Sequence, residues 1–213
     1  MSYAAPGWYP DHYDPTRERW WDGETWSPVT RASVAAPRRL GPVTPDGVPL
    51  SAPGWRLLAR LLDSLVVTLL SLLPGFAAAR ALFAAMQEAL PAAGSGGPVN
   101  PFSVYTNPAF VSAATDLSLI QLAVGAVYSI AFIGWRGATL GKLAVGIRVR
   151  SWGVEGRPSW NQAALRWLTS DGVGALPGVG LLWSLLDSLW LLWDPHRQAL
   201  HDKLPRTVVV RGR

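Results

Sequence analysis

The sequence predicts a mainly α-helical protein built on membrane-spanning helices, with a small β module at its N-terminus. Three apolar stretches indicate the helices, at residues 55–79, 117–135 and 172–193. The composition of the whole chain agrees, because only 15% of its residues are charged and its mean hydropathy is +0.18. A helix of about 20 apolar residues crosses the hydrocarbon core of a bilayer. We therefore expect a protein that passes the cell membrane more than once.

Composition divides the chain into three parts. Residues 1–30 are rich in Trp, residues 31–53 are rich in Pro, and residues 54–211 hold all three apolar stretches. The prolines of the middle part block helix formation and favour an extended backbone. The sequence thus predicts a Trp-rich module, a mobile linker and a membrane domain.

The Trp-rich module is expected to contain a strand that enters a tight turn, because Trp20-Trp21 is followed by Asp22-Gly23. About 25 residues cannot bury a large core, so the Trp side chains must supply most of its apolar area. The segment resembles a short actinobacterial module with the pattern GWYPDP…RYWDG…WT, attached to membrane proteins; His12 and Ser27 depart from that pattern. Two interpretations stay open. The Trp side chains form a small core, or residues 6–30 bind a protein partner or the cell envelope.

The three apolar stretches differ in regularity. The first is uncharged from the residue after Asp63, and the second has nineteen uncharged residues that end before Arg136. The third contains Pro177-Gly178 and then Asp187. It therefore either spans the membrane or re-enters on the side from which it came, and broken backbone at that depth requires cover by protein or water.

Two short strands are predicted between and after the membrane segments. Residues Leu143–Val149 place apolar side chains on one face and Arg148 on the other. Residues Thr207–Val210 are β-branched throughout. We expect these two segments to lie on the same side of the membrane and to pair with each other.

Flanking charge predicts the orientation of the chain. Residues 136–171 carry six basic groups against two acids, and residues 194–213 carry five against two. Basic segments beside apolar ones favour a cytoplasmic surface with anionic lipids over a nucleic acid, for which no binding motif is present. The N-terminus and residues 136–171 should therefore be cytoplasmic, with residues 80–116 outside. A third full crossing would leave the basic tail outside, whereas a re-entrant third stretch would return it to the cytoplasm; both topologies stay open.

Charged side chains at the ends of the apolar stretches are the candidate functional residues. Arg56, Arg60 and Asp63 share one face of the first predicted helix, and Asp187 is the deepest acid of the third stretch. A carboxylate that faces lipid costs several kcal/mol, so Asp63 is expected to pair with Arg60 or with a group from another helix. Asp187 is expected to accept Arg60 or Arg166 as a partner, or to coordinate a cation. Structural ion pairs and a role in ion or proton movement are both compatible with these charges.

The C-terminal segment from Gln198 to Val209 has the pattern Q-x-L-H-D-K-x-x-x-T-V-V. Together with residues 137–149, it resembles the RDD family of small integral membrane proteins, and the resemblance covers residues 54–211. It implies that the Arg and the two Asp for which the family is named correspond to Arg56, Asp63 and Asp202. It also implies a mostly uncharacterised activity for which assistance of transport, including cation/proton antiport, is sometimes proposed.

Several kinds of site are excluded by the sequence. The chain has no Cys, which removes disulfides, thiolate metal sites and Cys nucleophiles. His196 and His201 are five residues apart, a poor spacing for one helical face, so no metal site is expected. Gly137–Lys142 is too short for a phosphate-binding loop, and no other catalytic or cofactor motif is present, so we expect neither an enzyme nor a cofactor. His201 and Asp202 are then either a proton-transfer pair or the cap of a turn.

The leading functional hypothesis is a membrane protein linked to cation or proton transport, in which Arg56, Asp63 and Asp202 act with Asp187 in support. Two or three helices cannot enclose a solute path, so this function requires a homo-oligomer. The alternative is a non-transporting anchor or adaptor that recruits a protein partner through residues 6–30.

Overall fold

A computed structural model describes residues 5–14, 16–33, 42–89 and 101–212. The chain forms two compact units, Met1–Gly41 and Pro42–Arg213. Each unit is described by itself.

The N-terminal unit contains three antiparallel strands in sequential order, β1 (Gly7–Pro10), β2 (Arg17–Trp21) and β3 (Trp26–Ala32). The predicted turn after Trp21 is confirmed. The Asp22 carboxylate accepts the backbone N–H groups of Glu24 and Thr25 at 2.7 and 2.6 Å. Gly23 has a φ of 109°, a backbone conformation that is strained for any residue with a side chain.

Aromatic rings lie on both faces of this small sheet. Trp8 and Trp20 meet edge to face with ring centroids 5.5 Å apart. On the other face, Trp26 contacts Tyr9 at 6.0 Å and Trp21 at 5.0 Å. Such ring pairs contribute about 0.5–1.5 kcal/mol each beyond burial. The Trp side chains thus stabilise the sheet, although Trp26 remains 53% exposed.

The larger unit is mainly helical and contains one two-stranded sheet. Its helices and strands are α1 (Pro53–Ser71), α2 (Phe76–Ala89), α3 (Pro108–Arg136), α4 (Leu140–Ala144), β4 (Ile147–Ser151), α5 (Trp160–Trp167), α6 (Gly180–Trp190), α7 (Leu200–Lys203) and β5 (Thr207–Arg211). A 3-10 turn at Pro101–Thr106 precedes α3, and a π-helical segment at Leu168–Gly172 follows α5.

The long helix α3 contains the second apolar stretch and packs antiparallel to α1. Asn107 caps its start by accepting the N–H groups of Ala109 and Phe110, and Gly137 ends it with a φ of 70°. Of the residues that the structure describes, α3 is the one helix that is long and apolar enough by itself to cross a membrane. Helices α1 and α2 pass the same test only as a pair, with a bend of 95° between them.

The bend corrects the prediction of one continuous first helix at residues 55–79. Helix α1 ends at Ser71, and Phe76 already belongs to α2. Pro74 lies in the intervening turn, where its missing N–H and its ring oppose a continuous helix. The next N–H, from Gly75, reaches back to the Ser71 carbonyl at 2.8 Å.

The third apolar stretch is broken as well. The chain turns at Pro177-Gly178, where Gly178 has a φ of 80°. Helix α6 then has only 11 residues. At 1.5 Å per residue, these extend over about 16 Å, roughly half of the hydrocarbon thickness.

The predicted pairing of the two short strands is confirmed. Strand β5 runs antiparallel to β4, with Ile147 opposite Arg211 and Ser151 opposite Thr207. The prediction that the first strand begins at Leu143 is wrong, because α4 occupies residues 140–144 and Gly146, at a φ of 70°, precedes the strand. The C-terminal tail therefore lies at the same end of the unit as the segment that follows α3.

The core of this unit lies where the helices meet the sheet. Its main cluster contains Ala59, Ile133, Ile147, Val149, Ala163 and Val209. A second cluster brings Leu50 against Val208 and Val210.

Part of the predicted linker at residues 31–53 belongs to this core. Ser51 donates its N–H to the Val209 carbonyl at 2.9 Å, and Arg211 donates to the Pro49 carbonyl at 3.0 Å. The other end of the predicted linker contains the last residues of β3. Residues 34–41 lie outside the described residues.

Helix α3 packs closely on α5 at Gly134. A Cβ added at Gly134 would lie 2.5 Å from the Trp160 ring. We expect Gly134→Ala to lower the free energy of unfolding by about 1–3 kcal/mol, because the ring or the helix must move. Denaturant titration in detergent micelles, followed by circular dichroism, measures this loss.

The control for this substitution is Gly54→Ala, since nothing lies within 4 Å of a Cβ at that position. It should change the free energy of unfolding by less than about 0.5 kcal/mol. Equal stability of both variants and the unmodified chain would contradict the close contact.

Candidate functional site

A fully buried carboxylate, Asp202, lies where α1, α5 and α7 meet. Its side chain is 0% exposed. The Arg56 Nη1 atom is 2.8 Å from Asp202 Oδ2, and Arg166 pairs with Asp202 Oδ1. The Ala199 N–H also donates to Oδ2, at 3.1 Å. One carboxylate from the C-terminal tail thus pairs with cations from two helices that are far apart in the sequence.

Side chains around Asp202 also attach the C-terminal tail to α5. Arg166 Nη1 donates to the Thr207 hydroxyl at 2.9 Å. Gln198 Nε2 donates to the Thr207 carbonyl at 2.8 Å. The residues of the C-terminal sequence pattern therefore hold one another and the start of β5 against α5.

Asp63, the other acid that the family resemblance implies, is held by a different set of groups. Its carboxylate accepts hydrogen bonds from the Tyr128 hydroxyl at 2.7 Å, the Thr139 hydroxyl at 2.6 Å and the Gly141 N–H at 2.8 Å. Lys142 Nζ is 3.4 Å from Oδ2. A Cβ at Gly141 would lie 2.7 Å from Asp63 Oδ1, so only glycine allows this approach.

The prediction that Asp63 pairs with Arg60 is wrong, and the alternative partner from another helix is what the structure shows. Arg60 instead contacts Asp171, beside the π-helical segment, at 2.8 Å. Tyr128 of α3 supplies one donor to Asp63, and the tight segment after α3 supplies the others, so together they occupy the space around its carboxylate.

Lys142 is the cationic partner of Asp63, and its pKa lies below the ordinary value for lysine. Burial lowers the pKa of the Lys142 ammonium to about 8, and Asp63 opposes this shift. Arg166 and Arg60 add to the lowering by repulsion. The ammonium also donates to the Thr139 hydroxyl at 3.1 Å.

Asp187 contacts His201, which corrects the predicted pairing with Arg60 or Arg166. The His201 N–H donates to Asp187 Oδ1 at 2.8 Å, and His201 Nδ1 is 2.6 Å from Oδ2. Burial lowers the pKa of His201 to about 4, although the Asp187 carboxylate opposes the shift. The ring is therefore neutral at pH 7 and donates its Nδ1–H to Asp187. The predicted pair of His201 with Asp202 is not a hydrogen bond, since Nε2 is 3.8 Å from Oδ1.

These ion pairs surround one end of a cleft of about 730 Å³. One wall is formed by α1 and α3, and the other by the π-helical segment and α6. Further along the cleft the polar lining consists of uncharged side chains: Ser64, Thr68, Ser118, Gln121, Ser129, Ser184 and Ser188. The cleft thus has a charged end and walls that carry hydroxyl and amide groups.

The cleft collects five of the six residues singled out by the sequence: Arg56, Arg60, Asp63, Asp187 and His201. Asp202 lies behind it, covered by Arg56 and Arg166. Sequence reasoning missed Tyr128 and Thr139 as partners of Asp63, because neither carries a charge that marks it out.

Within the described residues, no group of three His, Cys, Asp or Glu side chains is placed to hold a metal ion.

Removal of the Asp202 charge should lower the stability of the fold. Asp202→Asn removes the carboxylate that directly pairs with the buried Arg56 and Arg166 guanidinium groups, so we expect a loss of about 3–5 kcal/mol in the free energy of unfolding. Asp171→Asn is the matched control, because it breaks a pair whose side chains are 54% and 38% exposed. Its cost should be below about 1 kcal/mol. Similar losses for the two variants, measured by denaturant titration in micelles, would contradict the central role of Asp202.

His201 should make the fold sensitive to acid. Burial lowers its pKa to about 4 in the folded protein, against an ordinary value of 6.5. Between these values the unfolded state binds more protons, so stability falls as the pH decreases from 6.5 to 4, by up to about 3 kcal/mol. His201→Gln should flatten this part of the stability profile, and His12→Gln, in the other unit, should not. An unchanged slope in His201→Gln would show that other groups cause the acid sensitivity.

Comparison with known proteins agrees with the resemblance seen in the C-terminal pattern. The model of the RDD family matches residues 50–206, which include Arg56, Asp63 and Asp202. A second family model, described as a protein of unknown function (DUF2510), matches residues 6–39. No curated protein and no solved structure matches the chain. Because the first match covers well over half of the sequence and α3 is long and apolar enough to span a bilayer, this chain is a membrane protein of the RDD family.

Proposed function

We propose that the larger unit crosses the membrane twice, through α1 and α3, and that α6 re-enters from the cytoplasmic side. Basic residues support this placement because they concentrate at the start of α1 and from the end of α3 onward: Arg56, Arg60, Arg136, Lys142, Arg148, Arg150, Arg157, Arg166, Arg197, Lys203, Arg206 and Arg211. Cytoplasmic membrane surfaces have this excess. The pairing of β4 with β5 brings the C-terminal tail to the same end. This end is the cytoplasmic one in the proposal.

The cleft between these helices is proposed to bind a small cation in a transport-linked function. The Ser64 hydroxyl donates to the Arg60 carbonyl at 2.9 Å, and the Ser118 hydroxyl donates to the Ala114 carbonyl at 2.7 Å. Each hydroxyl proton is used within its own helix, so the oxygen lone pairs are left as acceptors. Oxygen acceptors are the ligands that hard cations prefer.

The charged end of the cleft supplies the coupling to protons. Asp63 and Lys142 both line the cleft, and the Lys142 pKa of about 8 places its deprotonation near physiological pH. When Lys142 releases its proton, the Asp63 carboxylate loses its cationic partner and a cation from the cleft takes that place. One proton leaves for each monovalent cation bound, and the net charge of the site is unchanged. The hydroxyl groups of Tyr128 and Thr139 hold Asp63 in both states.

The observation that carries this proposal is that a polar cleft between membrane helices ends at an acid with a titratable cationic partner. The adaptor function stays a prediction for the N-terminal unit, where the exposed ring of Trp26 offers a surface for a partner.

The full chain, reconstituted in vesicles that enclose a pH-sensitive dye, tests the transport function. A sodium or potassium gradient should drive a change in internal pH, and Asp63→Asn should reduce this change to the rate of protein-free vesicles. Asp116→Asn is the matched control, because it removes an exposed acid of α3 that does not line the cleft. It should keep the rate of the unmodified chain.

Size-exclusion chromatography and thermal unfolding establish that both variants are folded. A folded Asp63→Asn variant with undiminished flux, or an inactive unmodified chain, would overturn the proposal.

A further inference from the structure

Helix α2 turns away from the direction of α1 at the outer end of the proposed span. The two helices are bent by 95° at the turn between them. Helix α2 has 14 residues. A helix of this length extends over about 21 Å, which is less than the hydrocarbon thickness of about 30 Å. Helix α2 is therefore too short to cross the bilayer by itself, and it does not continue the path of α1.

A close contact at Gly75 fixes the depth of this turn. A Cβ at Gly75 would lie 3.0 Å from the Leu117 side chain and 3.8 Å from that of Ile120. Leu117 begins the uncharged run of α3, directly after Asp116. That run ends before Arg136 and extends over about 28 Å, nearly the hydrocarbon thickness. The turn after α1 therefore lies at the outer border of the hydrocarbon. Because α2 packs against α3 and against the 3-10 turn that precedes it, it lies on the outer side of that border.

Two of the faces of α2 are apolar, and they differ in exposure. One is turned toward the rest of the unit and holds the three least exposed residues of the helix, Ala78, Leu82 and Ala85. The other carries large side chains without cover. Of these, Phe76 is 61% exposed, Phe83 57% and Met86 37%. The packing on α3 thus leaves an aromatic and apolar face directed outward.

The third face of α2 is polar and carries Arg80, Gln87 and Glu88. At 100° per residue, the centres of the three faces lie about 110–140° apart. Arg80 lies at the border of the polar and the exposed apolar faces, with its guanidinium carbon 5.9 Å from the centre of the Phe76 ring. Within the described residues, no carboxylate pairs with Arg80. A helix with one apolar and one polar face directed outward matches a membrane interface, where lipid lies on one side and water on the other.

Continuity with the outward side of α1 identifies the partner as lipid. Leu65, Leu69, Leu72 and Leu73 follow one another along α1 and into the turn, and each is more than half exposed. The exposed face of α2 begins at Phe76, directly after them. One uninterrupted apolar surface therefore leads from the membrane-spanning helix onto α2. Lipid phosphates at the depth of the turn supply the anion for Arg80, whose apolar stem follows the same surface.

We propose that α2 lies in the outer interface of the membrane, with Phe76, Phe83 and Met86 among the acyl chains next to the headgroups and with Arg80 on a lipid phosphate. The turn at Pro74-Gly75 is short, so the depth of α2 also fixes where α1 ends in the bilayer. This inference rests on the membrane placement of α1 and α3 proposed above and does not depend on cation transport.

Nitroxide labels measure the depth of each face, because the chain has no Cys and an introduced thiol is the only one. Ala79→Cys and Phe83→Cys place the label on the apolar face of the full chain, in vesicles of phosphatidylcholine and phosphatidylglycerol. Ala77→Cys and Ala84→Cys are matched controls, also exposed, and turned about 100–160° away from the test positions.

Collision rates are measured with oxygen, which enters lipid, and with a water-soluble nickel chelate. The ratio of oxygen to nickel collisions should be about fivefold or more higher at the test positions than at the controls, since an interfacial helix buries its apolar face below the headgroups. In the Phe83→Cys chain, Arg80→Glu should raise the nickel collision rate about twofold or more by repulsion from phosphate, and Arg80→Lys should not.

Each other position of α2 gives a different result, and each overturns the proposal. Nickel access at all four positions would place α2 in water. Nickel exclusion with oxygen access at all four would place it in the hydrocarbon. Protection of the test positions from both reagents, with broadening of the spectra by a second label, would show cover by another copy of the chain.

A label at Leu65→Cys tests the membrane placement separately. Leu65 is 57% exposed on α1, and its label should meet oxygen and not nickel. Nickel access at this position would overturn the placement and the inference with it. Lipid contact at Leu65 without a difference between the faces of α2 would overturn the inference alone. The cation flux of the vesicle assay decides the transport function whatever the depth of α2.

Discussion

The buried contact of Asp202 with two guanidinium groups determines how the larger unit is assembled. Arg56 comes from the first helix, Arg166 from α5, and Asp202 from the C-terminal tail. Each charge taken out of water costs several kcal/mol, and only the arrangement with all three in place repays that cost. The tail is therefore as much a part of the helical core as α1 or α3. The pairing of β5 with β4 and the position of α6 follow from the same attachment.

The other charges at this end form separate pairs, and this separation shapes the cleft. Asp63 is held by Tyr128, Thr139, Gly141 and Lys142, while Asp187 is held by His201. Because each acid has its own partners, Asp202 is enclosed by Arg56 and Arg166, whereas Asp63 lines the cleft beside the Lys142 ammonium. The Arg and the two Asp of the sequence pattern thus divide into a structural pair and a cleft-facing acid, within one charged region.

Much of this arrangement could be predicted from sequence, for identifiable physical reasons. Helix α3 has an uninterrupted apolar run that predicts it, and the strand pair is predicted by alternating apolar residues up to Val149 and by the β-branched run at residues 207–210. Buried charges are rare in apolar segments, which made Arg56, Asp63 and Asp187 conspicuous. The partners of those charges were not predictable, because pairing depends on how segments cross in space. Arg60 is three residues from Asp63 along the helix, yet it points into the cleft toward Asp171. The bend after Ser71 was missed because apolar residues continue through Pro74-Gly75, and hydrophobicity alone does not show where a helix stops.

The short segment around Pro49 and Ser51, which is hydrogen-bonded to β5, covers one edge of the two-stranded sheet. A two-stranded sheet has two open edges, and open edges template the addition of further strands from other molecules. Here the N–H of Val149 in β4 donates to the Gly137 carbonyl at 2.7 Å, and β5 is bonded on its far side to Pro49 and Ser51. Both edges are thereby occupied by the protein's own backbone. The proline-containing stretch that the sequence predicts to be a linker therefore leaves this edge of β5 unavailable to strands of other molecules.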